Sequence, residues 1–136
     1  MEVLKDRLTR SMMDYFGQDE SLIQHALRVT RHAEDNLQHE ESADRDVVIA
    51  AAILHDIGIP EAERKHGSSA GEYQELEGPP IARELMRQEG LPERMIEEVC
   101  QIIAHHHTPG VVDTVNFEVV YRADVKVNLE DRALSA

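Results

Sequence analysis

Four places in the chain put residues capable of chemistry where apolar ones would be expected. His55-Asp56 closes the most apolar stretch, Val47 to Leu54. An ionised aspartate beside such a run loses its water and needs a charged partner, which a divalent cation can supply. The plain alternative is a helix C-terminal turn, with His55 on the helix dipole and Asp56 in water. His25 lies three residues after Leu22 and four before Val29, so it shares their helical face. His106 follows Val99 by seven, Ile102 by four and Ile103 by three, again an apolar face. Asp124 follows Phe117 by seven and Val120 by four, and precedes Val127 by three. An unpaired carboxylate on such a stripe is costly.

The neighbouring histidines read differently. His105 falls on the polar face with Glu98 and Gln101. His107 follows Ile103 by four and stands nearer the helix end, so it ranks behind His106. His32 and His39 read as surface residues. Singly, each signal has an ordinary reading: a hydrogen-bonded core histidine, an exposed histidine run, a buried ion pair. Together they place acids and imidazoles on the inward faces of different helices, where a bundle makes them converge. Imidazole plus carboxylate suits Mn²⁺, Fe²⁺, Zn²⁺, Ni²⁺ or Co²⁺ better than Ca²⁺, and a single cysteine excludes a thiolate cage.

Helices must carry these residues. Residues 2–16 predict a first helix with Val3, Leu4, Leu8, Met12 and Phe16 on one side, stopped by Gly17. A second starts near Asp19 or Ser21 and runs to about His39, on a stripe of Leu22, Ile23, Ala26, Leu27, Val29, Ala33 and Leu37. Asp44 caps a third over 45–57, apolar all round and therefore central. Residues 58–78, broken by Gly67, Ser68, Ser69, Gly71 and Gly78, predict a loop with one short helix. Pro79 and Pro80 predict the first turn of a helix ending at Glu89 and Gly90. Pro92 opens the next, and a last one covers 116–130. Val111-Val112 suggests at most a brief extended piece. The fold expected is all-α, a compact bundle of about six helices in a single domain over 1–136.

Composition narrows the function. The 136 residues are 41% hydrophobic and 30% charged, which is ordinary for a globular chain. Aromatics are few, with two Phe, three Tyr and no Trp, so the core rests on Leu, Ile, Val, Ala and Met, a palette for helix packing. The net charge of −13 argues against long nucleic acid as a partner. It does not argue against a small phosphorylated substrate, because a bound metal dominates its local field. The run from Val47 to His55 is too short to span a bilayer, so no membrane partner is expected. Met1 leads into Glu2, Lys5, Asp6 and Arg7 without a signal-like apolar region, and Cys100 is the lone cysteine. Both fit a cytoplasmic location. A homo-oligomer remains open.

These residues resemble the HD superfamily of metal-dependent phosphohydrolases. The pattern is a histidine, here His25, then Ala51-Ala52-Ile53-Leu54-His55-Asp56-Ile57-Gly58, then Ala123-Asp124. The start Phe16-Gly17-Gln18-Asp19 through His25-Ala26-Leu27-Arg28-Val29, the later Ile102-Ile103-Ala104-His105-His106-His107, and Asn128-Leu129 after Asp124 agree with it. The resemblance spans about residues 12–130 and speaks to the fold and a metal site, not to a substrate. It implies a divalent metal (Mn, Fe, Ni, Co, Zn or Mg) held by His25, His55, Asp56 and Asp124. Some members of the superfamily add a second ion, for which His66, His106 and His107 are the candidates here. The chain departs from two-metal members in lacking any histidine between His66 and His105, with Glu72, Glu75 and Glu77 in that region, and in placing Arg122 two residues before Asp124. One tightly held ion per chain is therefore favoured over two.

The implied reaction is hydrolysis of a phosphomonoester or phosphodiester in a small molecule, a nucleotide being one class. Asp56, His106 and His107 are the catalytic candidates. Arg64, Lys65 and His66 follow the His-Asp pair and can neutralise phosphate; the plain alternative pairs Arg64 and Lys65 with Glu61 and Glu63 on the surface. The same fold also admits a regulatory module that binds metal or nucleotide without turnover, or a structural domain whose histidines only hydrogen-bond in the core.

Overall fold

The computed structural model describes residues 3–135 and, among them, seven helices and no strand. Helix α1 is Leu4–Phe16, α2 Glu20–Leu37, α3 Arg45–Leu54, α4 Ile59–His66, α5 Gly71–Gln88, α6 Glu93–His105 and α7 Val115–Ser135. The all-α expectation holds. The Val111-Val112 segment is not extended pairing but part of the α6–α7 connection, with Val111 exposed. Glu2, where the sequence reading starts the first helix, lies outside the described residues. Among those described, no helix is long and apolar enough to cross a membrane.

Local chemistry fixes most boundaries. Leu8, Met12 and Phe16, four apart, are the buried side of α1, and Gly17 closes it at φ 65° with its N–H on the Met13 carbonyl. The Asp19 carboxylate accepts from the Leu22 N–H at 3.2 Å and starts α2. The Asp44 carboxylate accepts from Asp46 and Val47 and starts α3. Such caps satisfy backbone donors that have no partner inside the helix. All eight residues from Val47 to Leu54 are buried, because α3 packs against α1, α2, α6 and α7 at once. A helix surrounded on every side must be apolar all round.

Three boundaries differ from the sequence reading by three residues or more; one is the end of the last helix, which runs on to Ser135 instead of stopping at 130. Helix α3 ends at Leu54 rather than at 57, and residues 55–58 form turns that lead directly into α4. The span read as mostly loop holds all of α4 and the first half of α5. Helix α4 is the short helix allowed for there; it buries Ala62 and ends at Gly67, left-handed at φ 67°. Helix α5 begins at Gly71, eight residues before Pro79, so both prolines lie inside it and not in its first turn. Its buried stripe Gln74, Gly78, Ala82 and Met86 repeats every four residues, and packing along it outweighs the two backbone donors the prolines lack.

Gly67 does end a helix, but Gly71 and Gly78, which also looked like breaks, are close contacts. A Cβ on Gly58 would stand 2.6 Å from the Gly78 nitrogen, and one on Gly78 would stand 2.9 Å from an Ile103 methyl. Glycine here lets the start of α4 press onto α5, and α5 onto α6. That approach brings α5 close to the end of α3.

Candidate metal centre

Four helices end or pass where their chemistry-bearing residues meet. Helix α2 offers His25 from its second turn, and His55-Asp56 follow the last residue of α3. His106 caps α6, with His107 next to it, and Asp124 lies mid-way along α7. Burial is deep: His55 is 0% exposed, His106 3%, and Asp56 and Asp124 8% each. Polar groups so placed need partners.

Their functional atoms face one point. His25 Nε2 lies 3.1 Å from Asp124 Oδ1 and 3.3 Å from Asp56 Oδ2. His55 Nε2 lies 3.3 Å from each of the same oxygens and 3.4 Å from His25 Nε2. The other oxygen of Asp56, Oδ1, stands 3.5 Å from His106 Nε2. The two imidazoles deepest in the site are turned alike. His55 Nδ1–H donates to the Ala52 carbonyl and His106 Nδ1–H to the Ile103 carbonyl, each at 2.7 Å. With Nδ1 committed as a donor, the neutral ring presents the Nε2 lone pair inward, as metal ligands do. His106 Nε2 is buried and makes no hydrogen bond, facing Asp56 Oδ1 at 3.5 Å.

The electrostatics match. Burial works against charge on His55, but Asp56 and Asp124 outweigh it and hold its pKa well above the usual imidazole value. Burial likewise opposes ionisation of Asp56 and Asp124, yet the facing imidazoles, His55 foremost, keep both well below the usual carboxylate range. Two buried carboxylates thus stay ionised around a point where positive charge is stabilised.

The residues fit a divalent ion. Donors bound at about 2.1 Å stand roughly 3.0–3.4 Å apart in octahedral or tetrahedral arrangements, and the contacts joining these four side chains span 3.1–3.4 Å. His25, His55 and Asp56 form one group of potential ligands, and Asp56, His106 and His107 a second, sharing the Asp56 carboxylate.

The other sequence candidates fall elsewhere. His105 is partly exposed on the outer side of α6, as its polar-face phase implies. His32 reaches Glu130 at 3.3 Å and His39 is exposed. Arg64 pairs with Glu61. Lys65 and His66 both turn to Glu77, at 3.2 and 2.9 Å, and the His66 ring stacks on Tyr73 at 4.3 Å. Glu77 is therefore the partner of Lys65, not Glu63. Glu75 accepts from the His107 backbone N–H at 3.0 Å and from the Thr108 hydroxyl. Among the described residues, neither Glu75 nor Glu77 joins the ligand groups.

One residue beside the site escaped the sequence reading. The Gln74 side chain, buried on α5, bonds His107 Nε2 at 2.9 Å. Its spacing of four from Gly78 on the buried stripe was the available signal, hidden while α5 was placed after Pro79. His107 is exposed as a whole, but its ring packs on Gly71 and on the His106 ring, 4.0 Å between centroids. That local desolvation, with His106 beside it, lowers its pKa.

Neither the search of curated proteins nor that of solved structures returned a match. The family of the HD domain matches residues 22–129, from just before His25 to just after Asp124. Four inward-facing donors on the motif positions and a match over most of the length lead to one assignment: the chain belongs to the HD-domain family, within the superfamily of metal-dependent phosphohydrolases.

Proposed function

We propose that this protein hydrolyses a phosphomonoester or phosphodiester of a small molecule, a nucleotide being the leading class, with a divalent metal held by His25, His55, Asp56 and Asp124. One observation carries the reading. Atoms from three separate elements, two imidazole nitrogens and two carboxylate oxygens, approach one another within 3.1–3.4 Å around a buried point. The donor set suits Mn²⁺, Fe²⁺, Ni²⁺, Co²⁺, Zn²⁺ or Mg²⁺. One such ion is the minimal site, and Asp56, His106 and His107 give a place for a second.

A divalent cation there supplies Lewis acidity, drawing charge from a phosphoryl oxygen and making water more acidic. The chain supplies the rest. Asp56 and Asp124 offset the charge of the ion, while the fixed Nδ1 bond of His55 keeps its ring oriented. Water oxygen bonds to phosphorus, the ester P–O bond breaks, and the leaving oxygen takes up a proton. His106 Nε2, buried and without a hydrogen bond, is the atom placed to accept the proton that water gives up. Lys65 and His66 are the proposed phosphate contacts, reached when a phosphate competes with Glu77 for them.

The test is a panel of nucleotides and sugar phosphates, each with Mn²⁺, Ni²⁺, Co²⁺ or Mg²⁺ added. Turnover of at least one ester, lost in His106→Ala, is expected. Metal binding without turnover of any ester would replace this reading with that of a regulatory module.

A further inference from the structure

The hydrogen bonds around Gln74 fix more than its own side chain. Its Nε2 lies 2.7 Å from the carbonyl oxygen of Ser69, an atom that can only accept. The amide must therefore direct its N–H₂ at Ser69 and its Oε1 at His107. The opposite orientation would set two acceptors 2.7 Å apart. Oε1 in turn can only accept, and it stands 2.9 Å from His107 Nε2. His107 Nε2 must then carry a hydrogen, whether the ring is neutral or charged. This is the reverse of His106, whose Nδ1 donates to the Ile103 carbonyl and whose Nε2 is left without a hydrogen bond.

The rest of α5's first turns hold the arrangement. Gly71 lies against the ring, where a Cβ would come within 2.9 Å of His107 Cβ and Cγ. Glu75 holds the His107 backbone N–H at 3.0 Å. Backbone, ring face and ring edge are thus each fixed from the same helix.

We infer that Gln74 is the positioning residue of the site: by accepting from His107 Nε2 it sets that imidazole as an Nε2–H donor and withholds Nε2 from any cation. Of the two adjacent histidines, His106 alone then presents an Nε2 lone pair, and His107 has only Nδ1 for a ligand bond. The tautomer stands on geometry alone. Its consequence for catalysis rests on the phosphohydrolase reading.

The test separates the two. The tautomer is read in full-length, metal-free protein from the nitrogen-15 shifts and two-bond couplings of the imidazoles at a pH where His107 is neutral. The parent should show His107 as Nε2–H and His106 as Nδ1–H. Gln74→Leu, which keeps bulk and removes the acceptor, should leave His107 a mixture of tautomers. Gln74→Glu, which still offers an oxygen, should restore the Nε2–H form. A parent His107 in the Nδ1–H form, or an unaltered tautomer in Gln74→Leu, would overturn the inference even if the enzyme hydrolyses phosphate esters. If turnover is found, Gln74→Leu should lower kcat about tenfold or more, the usual effect of losing an orienting partner, with KM nearly unchanged and Gln74→Glu recovering most of the loss. A loss in KM alone would overturn the positioning role.

Discussion

Gly58→Ala tests the link between close helix packing and the metal centre. Gly58 sits two residues after Asp56, and a Cβ there would meet the Gly78 nitrogen at 2.6 Å, the Gly78 Cα at 2.7 Å and the Gln74 carbonyl at 2.9 Å. Ordinary contact begins near 3.4 Å, so the backbones must part by about 0.8 Å. All three obstacles are helix backbone and cannot swing away as a side-chain tip would. Overpacking of this kind costs about 1–3 kcal/mol. At ~2.1 cal/mol/K per residue, a chain of this length unfolds with an entropy near 0.29 kcal/mol/K, so Tm should fall by about 3–10 °C. The shift also moves Asp56 relative to His25 and Asp124, which stand on other helices. A misplacement near 1 Å costs about a hundredfold in a positioned reaction, so metal affinity and turnover should fall together. Calorimetry gives Tm, and chelator competition gives affinity. The control is Gly67→Ala, where the glycine is left-handed at φ 67° but nothing lies within 4 Å of the added Cβ; it should lose stability and retain metal affinity. A Gly58→Ala protein with parental Tm and affinity would refute the packing argument.

Other outcomes follow from the same contacts. Asp56→Ala should abolish hydrolysis and weaken metal binding, while His105→Ala, at a partly exposed position on the polar face of α6, should change either by less than about twofold; equal losses would show that the site is wrongly drawn. Elemental analysis of untagged protein should find about one or two ions per chain, a count set by the ligand inventory. Saturating metal at about a hundred times Kd should add ~2.7 kcal/mol of stability; no gain in Tm would remove the metal from the account. If two ions bind, His106→Ala/His107→Ala should lose about half of them, whereas an unchanged count would place the tight ion on His25, His55, Asp56 and Asp124. Hydrogen bonds from His66 and Lys65 lower the Glu77 pKa. A lowered carboxylate pKa adds stability above the unfolded value and loses it as pH falls through the folded one. Glu77→Gln should therefore cost stability at pH 7 and progressively less below about pH 4.3, as read by denaturant titration; a gap that widened on acidification would contradict the sign.

The sequence by itself determined the helices whose ends carry their own chemistry and whose faces repeat cleanly. Asp19, Asp44 and Gly17 mark boundaries through hydrogen bonds to residues nearby in the chain. His25, His106 and Asp124 stood out because a polar group on an apolar stripe is costly without a partner. The order of these residues also carried the family. Tertiary structure alone decided the course of 58–78. Gly71 and Gly78 read locally as helix breakers, yet they lie inside α5 because only glycine fits against His107, Ile103 and the Gly58 backbone. Pro79 and Pro80 read as a start, yet α5 begins eight residues before Pro79, its packing on α4 and α6 outweighing the missing donors. Lys65 and His66 turned to Glu77, eleven or twelve residues away, a choice that no local spacing specifies. The hydrogen on His107 Nε2 depends on Gln74, 33 positions earlier, and on Ser69 beyond it. Local rules act through the backbone over a turn or two, whereas these features arise only once separate helices press together.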